Sequence, residues 1–164
     1  RPELKEMNLE PVVDQAIRYM ESRLPQHGRQ VEVQRVCETE AKVRINPELF
    51  HWALENLIRN AMDAVRASSK DPRVIIAVTQ LEESVYIDIS DYGNGISKKS
   101  QKEIFKPGFS TKKRGWGLGL SLARRIIEEY HKGRLEVLHT SPERGTTMRI
   151  TLQATSLESG EAEE

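Results

Sequence analysis

Apolar residues at Leu9, Val12, Val13, Ala16, Ile17 and Met20 recur close to helical spacing and predict a helix over Leu9–Leu24, stopped by Pro25 and Gly28. The rough alternation of Val31–Val36 and the β-rich Lys42–Ile45 predict two strands. Asn46-Pro47 is a capping residue followed by proline at the first helical position, so a second helix should run from there to about Ala67. Its Leu54, Leu57, Ile58, Ala61, Met62 and Val65 form one stripe for burial. Strands follow at Val74–Leu81 and Val85–Ser90, the latter emptying into Asp91-Tyr92-Gly93-Asn94-Gly95. Residues 105–117 lack periodicity, hold Pro107, Gly108, Gly115 and Gly117, and carry basic residues without an acid, which reads as a mobile basic loop. Gly117–His131 then reads as a helix with Leu118, Leu122, Ile126 and Tyr130 on one face. Strands at Arg134–His139 and Thr147–Leu152, joined by a turn with Pro142 and Gly145, complete the pattern.

The chain has 164 residues, a length that favours one domain. Lys plus Arg and Asp plus Glu both number 25, so nothing favours a protein that blankets a polyanion, and no nucleic-acid partner is expected. No apolar run approaches the roughly 18 residues of a membrane helix. The single Cys37 excludes an internal disulfide framework and a multi-cysteine zinc site. From Ala154 onward the charged residues are all acidic, which predicts a domain over 1–153 and a disordered acidic tail over 154–164.

Three local patterns carry chemistry. Steps of four and three residues bring Asn56, Asn60 and Asp63 to one helix face, roughly opposite Leu54, Ile58 and Met62. Such a strip could simply face solvent. However, Asn and Asp are poor helix formers, and Ala53, Ala64 and Ala67 leave room beside them. Oxygens at this spacing suit a hard cation such as Mg²⁺ with phosphates and water. Asp91 precedes two glycines just past a strand; it could close an Asx turn, or accept from an exocyclic amine such as that of adenine. Gly115-Trp116-Gly117-Leu118-Gly119-Leu120 opens a helix after a basic run, an arrangement of amides and charge that attracts phosphate. It is neither a dinucleotide fingerprint nor a P-loop.

In order along the chain, Asn56 and Asn60 resemble an N box, Asp91-x-Gly93-x-Gly95 a G1 box and Ile104–Lys112 an F box. Gly115-x-Gly117-x-Gly119-Leu120 resembles a G2 box, and Gly145-Thr146-Thr147 a final glycine-threonine element. Together they resemble the GHKL ATPases, specifically the catalytic ATP-binding domain of sensor histidine kinases. The resemblance implies the Bergerat fold, a two-layer α/β sandwich with a mixed sheet of about five strands on three helices and a flexible lid at 105–117. It implies ATP, with ADP as product, and Mg²⁺ held by Asn60, with Asn56 and Asp63 toward the phosphates. Asp91 would take the adenine amine, with Gly93, Gly95, Ile96, Thr146 and Thr147 around the same end. Phe105, Lys112, Lys113, Arg114, Gly115, Gly117, Leu118, Gly119 and Leu120 would complete the nucleotide set from the lid and the helix behind it. Many histidine kinases carry Lys and an aromatic where this chain has Asp63 and Ala64, which removes a cationic phosphate contact from that helix.

The acceptor in such kinases is a histidine followed by an acid, with a proline four residues on. His27, His51, His131 and His139 all fail that pattern and read as loop or helix-surface residues. The resemblance therefore implies a catalytic domain without its acceptor or general base, serving a separate dimerisation and histidine-phosphotransfer domain and a response regulator. It also implies a cytoplasmic location, a monomeric fragment, and a dimeric parent open to anchoring in the inner membrane. Two other readings share the fold: a GHKL ATPase that hydrolyses ATP, and a regulator that binds nucleotide without transferring phosphate. The first uses a glutamate where this chain has Asn56, and Glu55 is rotated by about 100° from that position.

Overall fold

The computed structural model describes residues 2–23, 30–68, 71–108 and 119–155. Along the chain come β1 (Lys5–Asn8), α1 (Leu9–Ser22), β2 (Glu32–Cys37), β3 (Lys42–Ile45), α2 (Pro47–Arg66), β4 (Arg73–Leu81) and β5 (Ser84–Asp91). They are followed by α3 (Lys98–Glu103), α4 (Gly119–Arg125) with a π-helical turn at Ile126–Tyr130, β6 (Arg134–Ser141) and β7 (Gly145–Gln153). The main sheet has five strands in the order β2-β4-β5-β7-β6. β2 lies parallel to β4 and the other pairs are antiparallel, so the sheet is mixed, as the resemblance implies. β1 and β3 form a separate antiparallel pair.

Period-two burial decides which sheet face meets the helices. Val74, Ile76 and Val78 of β4, Val85, Ile87 and Ile89 of β5, and Ile150 and Leu152 of β7 are buried together. Against them lie the predicted stripes of both long helices. Leu9, Val12, Val13, Ala16, Ile17 and Met20 of α1 are buried, as are Leu54, Leu57, Ile58, Ala61, Met62 and Val65 of α2. Asn46 caps α2 by accepting from the Leu49 N–H at 3.0 Å, with Pro47 at the first helical position. Such a cap contributes about 1 kcal/mol.

Several expectations need correction. β1 and α3 lack the periodicity that would have announced them; α3 is a short helix capped by Ser97, which accepts from the Ser100 N–H. In the last helix, Leu122 is exposed and Tyr130 half-buried, whereas Ala123, Ile126 and Ile127 are buried. The buried residues follow ordinary three- and four-residue steps, whereas repeated steps of four from Leu122 drift around the helix off that face; the π-turn comes only afterwards, at Ile126–Tyr130. Ala154 and Thr155, at the expected start of the tail, continue the ordered chain: Ala154 bridges Val43, and the Thr155 N–H bonds the Lys42 carbonyl at 2.8 Å. Residues 156–164 lie outside the described residues.

His131 is the largest departure. It is 7% exposed rather than on the surface. Its Nε2 accepts from the Asn46 N–H at 3.0 Å, and its Nδ1 lies 2.9 Å from the Ile126 carbonyl. An amide only donates and a carbonyl only accepts, so the ring is neutral with its proton on Nδ1. Burial pushes its pKa below the ordinary 6.5.

Two predictions follow from this packing. Because folded His131 binds its proton less tightly than the unfolded chain, its stabilisation is complete above pH 6.5 and is lost as the pH falls below that value. Urea midpoints should therefore drop on acidification in the wild type, and less steeply in His131→Gln. Gly145 has φ +80°, and a Cβ there would lie 2.0 Å from the Asp91 carbonyl oxygen. Gly145→Ala should cost about 3 kcal/mol or more, read as a fall in the same midpoint.

Candidate functional site

The outward face of α2 crosses two glycine-bearing segments. Asn56 is 9% exposed, and its Nδ2 donates to the Trp52 carbonyl one turn earlier at 2.8 Å. Its Oδ1 faces the start of α4, where a Cβ on Gly119 would lie 3.1 Å away. Asn60, one turn further along α2, is half-buried. One turn beyond that, the Ala64 carbonyl lies 3.0 Å from where a Gly93 Cβ would be. The polar face thus runs from the second glycine segment to the first, two segments distant in sequence. A strip merely facing solvent does not describe it.

Asp91 closes the Gly93 end. It is the last residue of β5 and is 6% exposed. Burial pushes its pKa above the ordinary carboxylate value, against the pull of hydrogen bonds from the Gly93 and Thr146 amides. The Gly93 N–H donates to Oδ1 at 2.9 Å, the Asx-like contact that the spacing allows. A carboxylate held this way retains lone pairs for a further donor. Thr147 Oγ1 sits 2.7 Å from Ser90 Oγ, and Thr146 Oγ1 sits 2.8 Å from Thr140 Oγ1. Thr140 Oγ1 also accepts from the Ile96 N–H at 2.8 Å, so one hydroxyl ties the segment after Asp91 to the sheet. Nothing in the local sequence singles out Thr140, because its role depends on a partner 44 positions earlier.

Gly95 adopts a left-handed backbone conformation that favours glycine. Its φ is +80°, and a Cβ would meet the Ser141 carbonyl oxygen at 2.6 Å. The protein's own β6–β7 turn demands the missing side chain.

Phe105 is half-buried against the core, with the Arg124 guanidinium 4.5 Å above its ring, which fastens the entry of the basic loop to α4. Leu120 packs on the same core. Asp63 stands somewhat apart from the asparagines. It lies 3.6 Å from Arg66 and lines a cleft between α1 and α2 with Tyr19, Arg23 and Arg59. Glu55 pairs with His51 Nε2 at 2.5 Å, and the His51 ring stands edge-on to Tyr19 of α1. Its carboxylate is therefore engaged on the α1 side and does not replace an acid at position 56. Lys112, Lys113, Arg114, Gly115, Gly117 and Leu118 lie outside the described residues.

Among the described residues, no group of three or more His, Cys, Asp or Glu is placed to hold a metal ion. The oxygens offered on α2 are carboxamides. They suit a hard cation that keeps phosphate and water as its other ligands. No helix among the described residues is long and apolar enough to cross a membrane.

Comparison with known proteins agrees with this arrangement. The family described as histidine kinase-, DNA gyrase B-, and HSP90-like ATPase matches residues 45–156. The chain is 35% identical over 116 residues to the nitrogen regulation protein NtrY of Azorhizobium caulinodans, covering 68% of this chain and 15% of that protein. It is 29% identical over 158 residues to the sensor protein TdiS of Thauera aromatica, covering 92% and 28%. With the signal transduction histidine-protein kinase AtoS of Escherichia coli it shares 36% identity over 129 residues, covering 76% and 20%. The chain thus spans between about a seventh and under a third of these relatives. In fold, the catalytic domain of histidine kinase ThkA superposes with a TM-score of 0.77 at 23% identity, covering 93% of this chain and 96% of that one. A mycobacterial sensor histidine kinase, MprB, also gives 0.77, at 22% identity and with 92% and 97% covered. With the mixed sheet, the asparagine face and the two glycine segments in place, the chain belongs to the histidine kinase-, DNA gyrase B- and HSP90-like ATPase family.

Proposed function

We propose that residues 1–153 bind Mg-ATP along the α2 face and give its γ-phosphoryl group to a histidine on a separate dimerisation domain. That domain then passes the phosphoryl group to a response regulator. The observation that carries this reading is the single polar helix face spanned by Gly119 at one end and Gly93 at the other. Asp91 accepts from the adenine amine, with Gly93, Gly95, Ile96, Thr146 and Thr147 shaping that end. Asn56 and Asn60 look toward the phosphates, and Asn60 holds the metal; Asp63, beside Arg66 on the α1 side, is left out of this set. Mg²⁺, when bound, neutralises phosphate charge. The amides at the start of α4, with Gly117, Gly119 and the lid cations Lys112, Lys113 and Arg114, orient the same groups. A lid over 105–117 excludes water until the acceptor histidine docks.

Phosphoryl transfer asks mainly for positioning and charge neutralisation, so this chain needs no base of its own. Of the three described histidines, His51 is paired with Glu55, His131 is locked between two backbone groups, and His139 is exposed on β6 rather than on a loop or helix, without the acid and proline of an acceptor motif. The Glu55–His51 pair also disfavours the hydrolysing-ATPase reading, which needs a carboxylate on the Asn56 side of α2. On this reading the domain works in the cytoplasm, within a dimeric parent that is open to anchoring in the inner membrane.

Calorimetry with ADP and ATP, followed by transfer of labelled phosphate to a dimerisation domain added in trans, tests the whole reading. Binding without transfer would leave a nucleotide-binding regulator. Asp91→Asn should weaken adenine nucleotide binding by about 1–3 kcal/mol, the scale of a lost buried polar contact. The same change removes a group whose raised pKa makes wild-type stability fall as the pH rises above the ordinary carboxylate value of 3.8. The variant should thus gain stability relative to wild type between acid and neutral pH while it loses ligand, and unchanged ADP affinity would move the adenine elsewhere. Asn60→Ala should abolish the Mg²⁺ dependence of ATP affinity in titrations with and without chelator. Retained dependence would reassign the metal.

A further inference from the structure

We infer that His131 is a positioning residue for the nucleotide site, a clamp that sets how the two helices flanking the phosphates lie against each other. The inference rests on the ATP-site reading above and extends it to a residue far from the ligand. Two contacts mark the two ends of the packing between α2 and the segment Gly119–His131. At one, Gly119 lies over Asn56. At the other, the His131 imidazole joins the Asn46 N–H at the head of α2 to the Ile126 carbonyl behind α4. Asn46 precedes Asn56 by ten residues, and Gly119 precedes His131 by twelve, so the helices run past each other between these contacts. Without an adjustment, two helical segments differing by two residues would differ in length by about 3 Å.

The wide turn at Ile126–Tyr130 lies at the His131 end of the longer segment. The Ile126 carbonyl accepts the His131 N–H at 3.1 Å as well as the imidazole Nδ1–H at 2.9 Å. One side chain therefore occupies the carbonyl that opens the wide turn while holding the neighbouring helix. Phe50, fully buried in the first turns of α2, packs edge-on to the ring at 5.4 Å and leaves it little freedom to rotate. Wide helical turns of this kind are rare and concentrate near functional sites. A ring that bridges two backbone groups in two elements fixes their separation more tightly than apolar packing, which tolerates repacking of similar volume. Losing the bridge should let α4 slide along α2 and carry the Gly119 amide away from Asn56.

Three substitutions separate a clamp from a mere core residue. His131→Gln keeps an acceptor within reach of the Asn46 N–H. His131→Asn keeps a donor toward Ile126 only, and His131→Leu keeps bulk and neither bond. In the nucleotide-free protein, the Gly119 amide and Asn56 side-chain NMR resonances should stay near wild type in the glutamine variant and move in the leucine and asparagine variants. ADP affinity should fall about five- to tenfold in those two and be restored by glutamine, the scale of one lost hydrogen bond. Imidazole ¹⁵N shifts of the wild type should show a protonated Nδ1 and a bare Nε2. If the leucine variant folds with unmoved Gly119 and Asn56 resonances, or the ring carries its proton on Nε2, the clamp is overturned. If the leucine variant does not fold, the asparagine and glutamine pair decides. Failure of the wild type to bind ADP would overturn the ATP-site reading, and the nucleotide-free spectra would still judge the clamp.

Discussion

The site depends on backbone coming within side-chain distance of one face of α2. A Cβ at Gly119 would crowd Asn56, and one at Gly93 would crowd both Ala64 and the Asp91 carboxylate. At both ends of the helix face, the missing side chain keeps the polar groups accessible while the chain stays close. α2 can serve two masters because its stripes are separate: Leu54, Ile58 and Met62 bind it to the core, and the asparagines look the other way. An amphipathic helix normally gives its polar face to water. Here that face is partly covered by protein, which desolvates Asn56 and strengthens whatever hydrogen bonds it makes.

Covering polar groups costs stability, and the structure shows where. Asp91 is nearly buried with a raised pKa, and two backbone amides only partly offset that burial. Gly145 allows β7 to cross beside the Asp91 carbonyl, in a conformation unfavourable for other residues. The hydroxyl pairs Thr146–Thr140 and Thr147–Ser90 hold neighbouring polar atoms without charge. A carboxylate restrained in this manner is poised for a neutral N–H donor such as an exocyclic amine. A fixed cation would instead have depressed its pKa and satisfied it permanently.

How much of this was legible in the sequence varies with the range of the interaction. The α1 and α2 stripes and the Asn46-Pro47 cap are local, and spacing alone reveals them. Asn56, Asp91 and the glycine segments are visible as types at short spacing, though their meeting across α2 is a tertiary fact. The carbonyl that crowds Gly95 is hidden from local sequence, because it belongs to Ser141, far along the chain. His131 was misread for the same reason: its partner amide lies 85 positions earlier. The stripe expected at Leu122 and Tyr130 fails because repeated steps of four drift around a helix, away from the face of Ala123, Ile126 and Ile127.

On the proposed reading, these long-range contacts also bear on why an acceptor would sit on another domain. Charge neutralisation and orientation can be built into a rigid two-layer frame, because they require only fixed amides, carboxamides and cations. An acceptor held permanently in that frame would face the phosphates at all times, with nothing to gate transfer. Separating the two makes docking the controlling event, and a signal can act on docking without disturbing the nucleotide site. The sheet, α1 and α2 supply the rigid part. Phe105 and Arg124, in contact at 4.5 Å, tie the chain after α3 to that frame, and on the proposed reading Gly119 and Asn56 bring α4 to the phosphates.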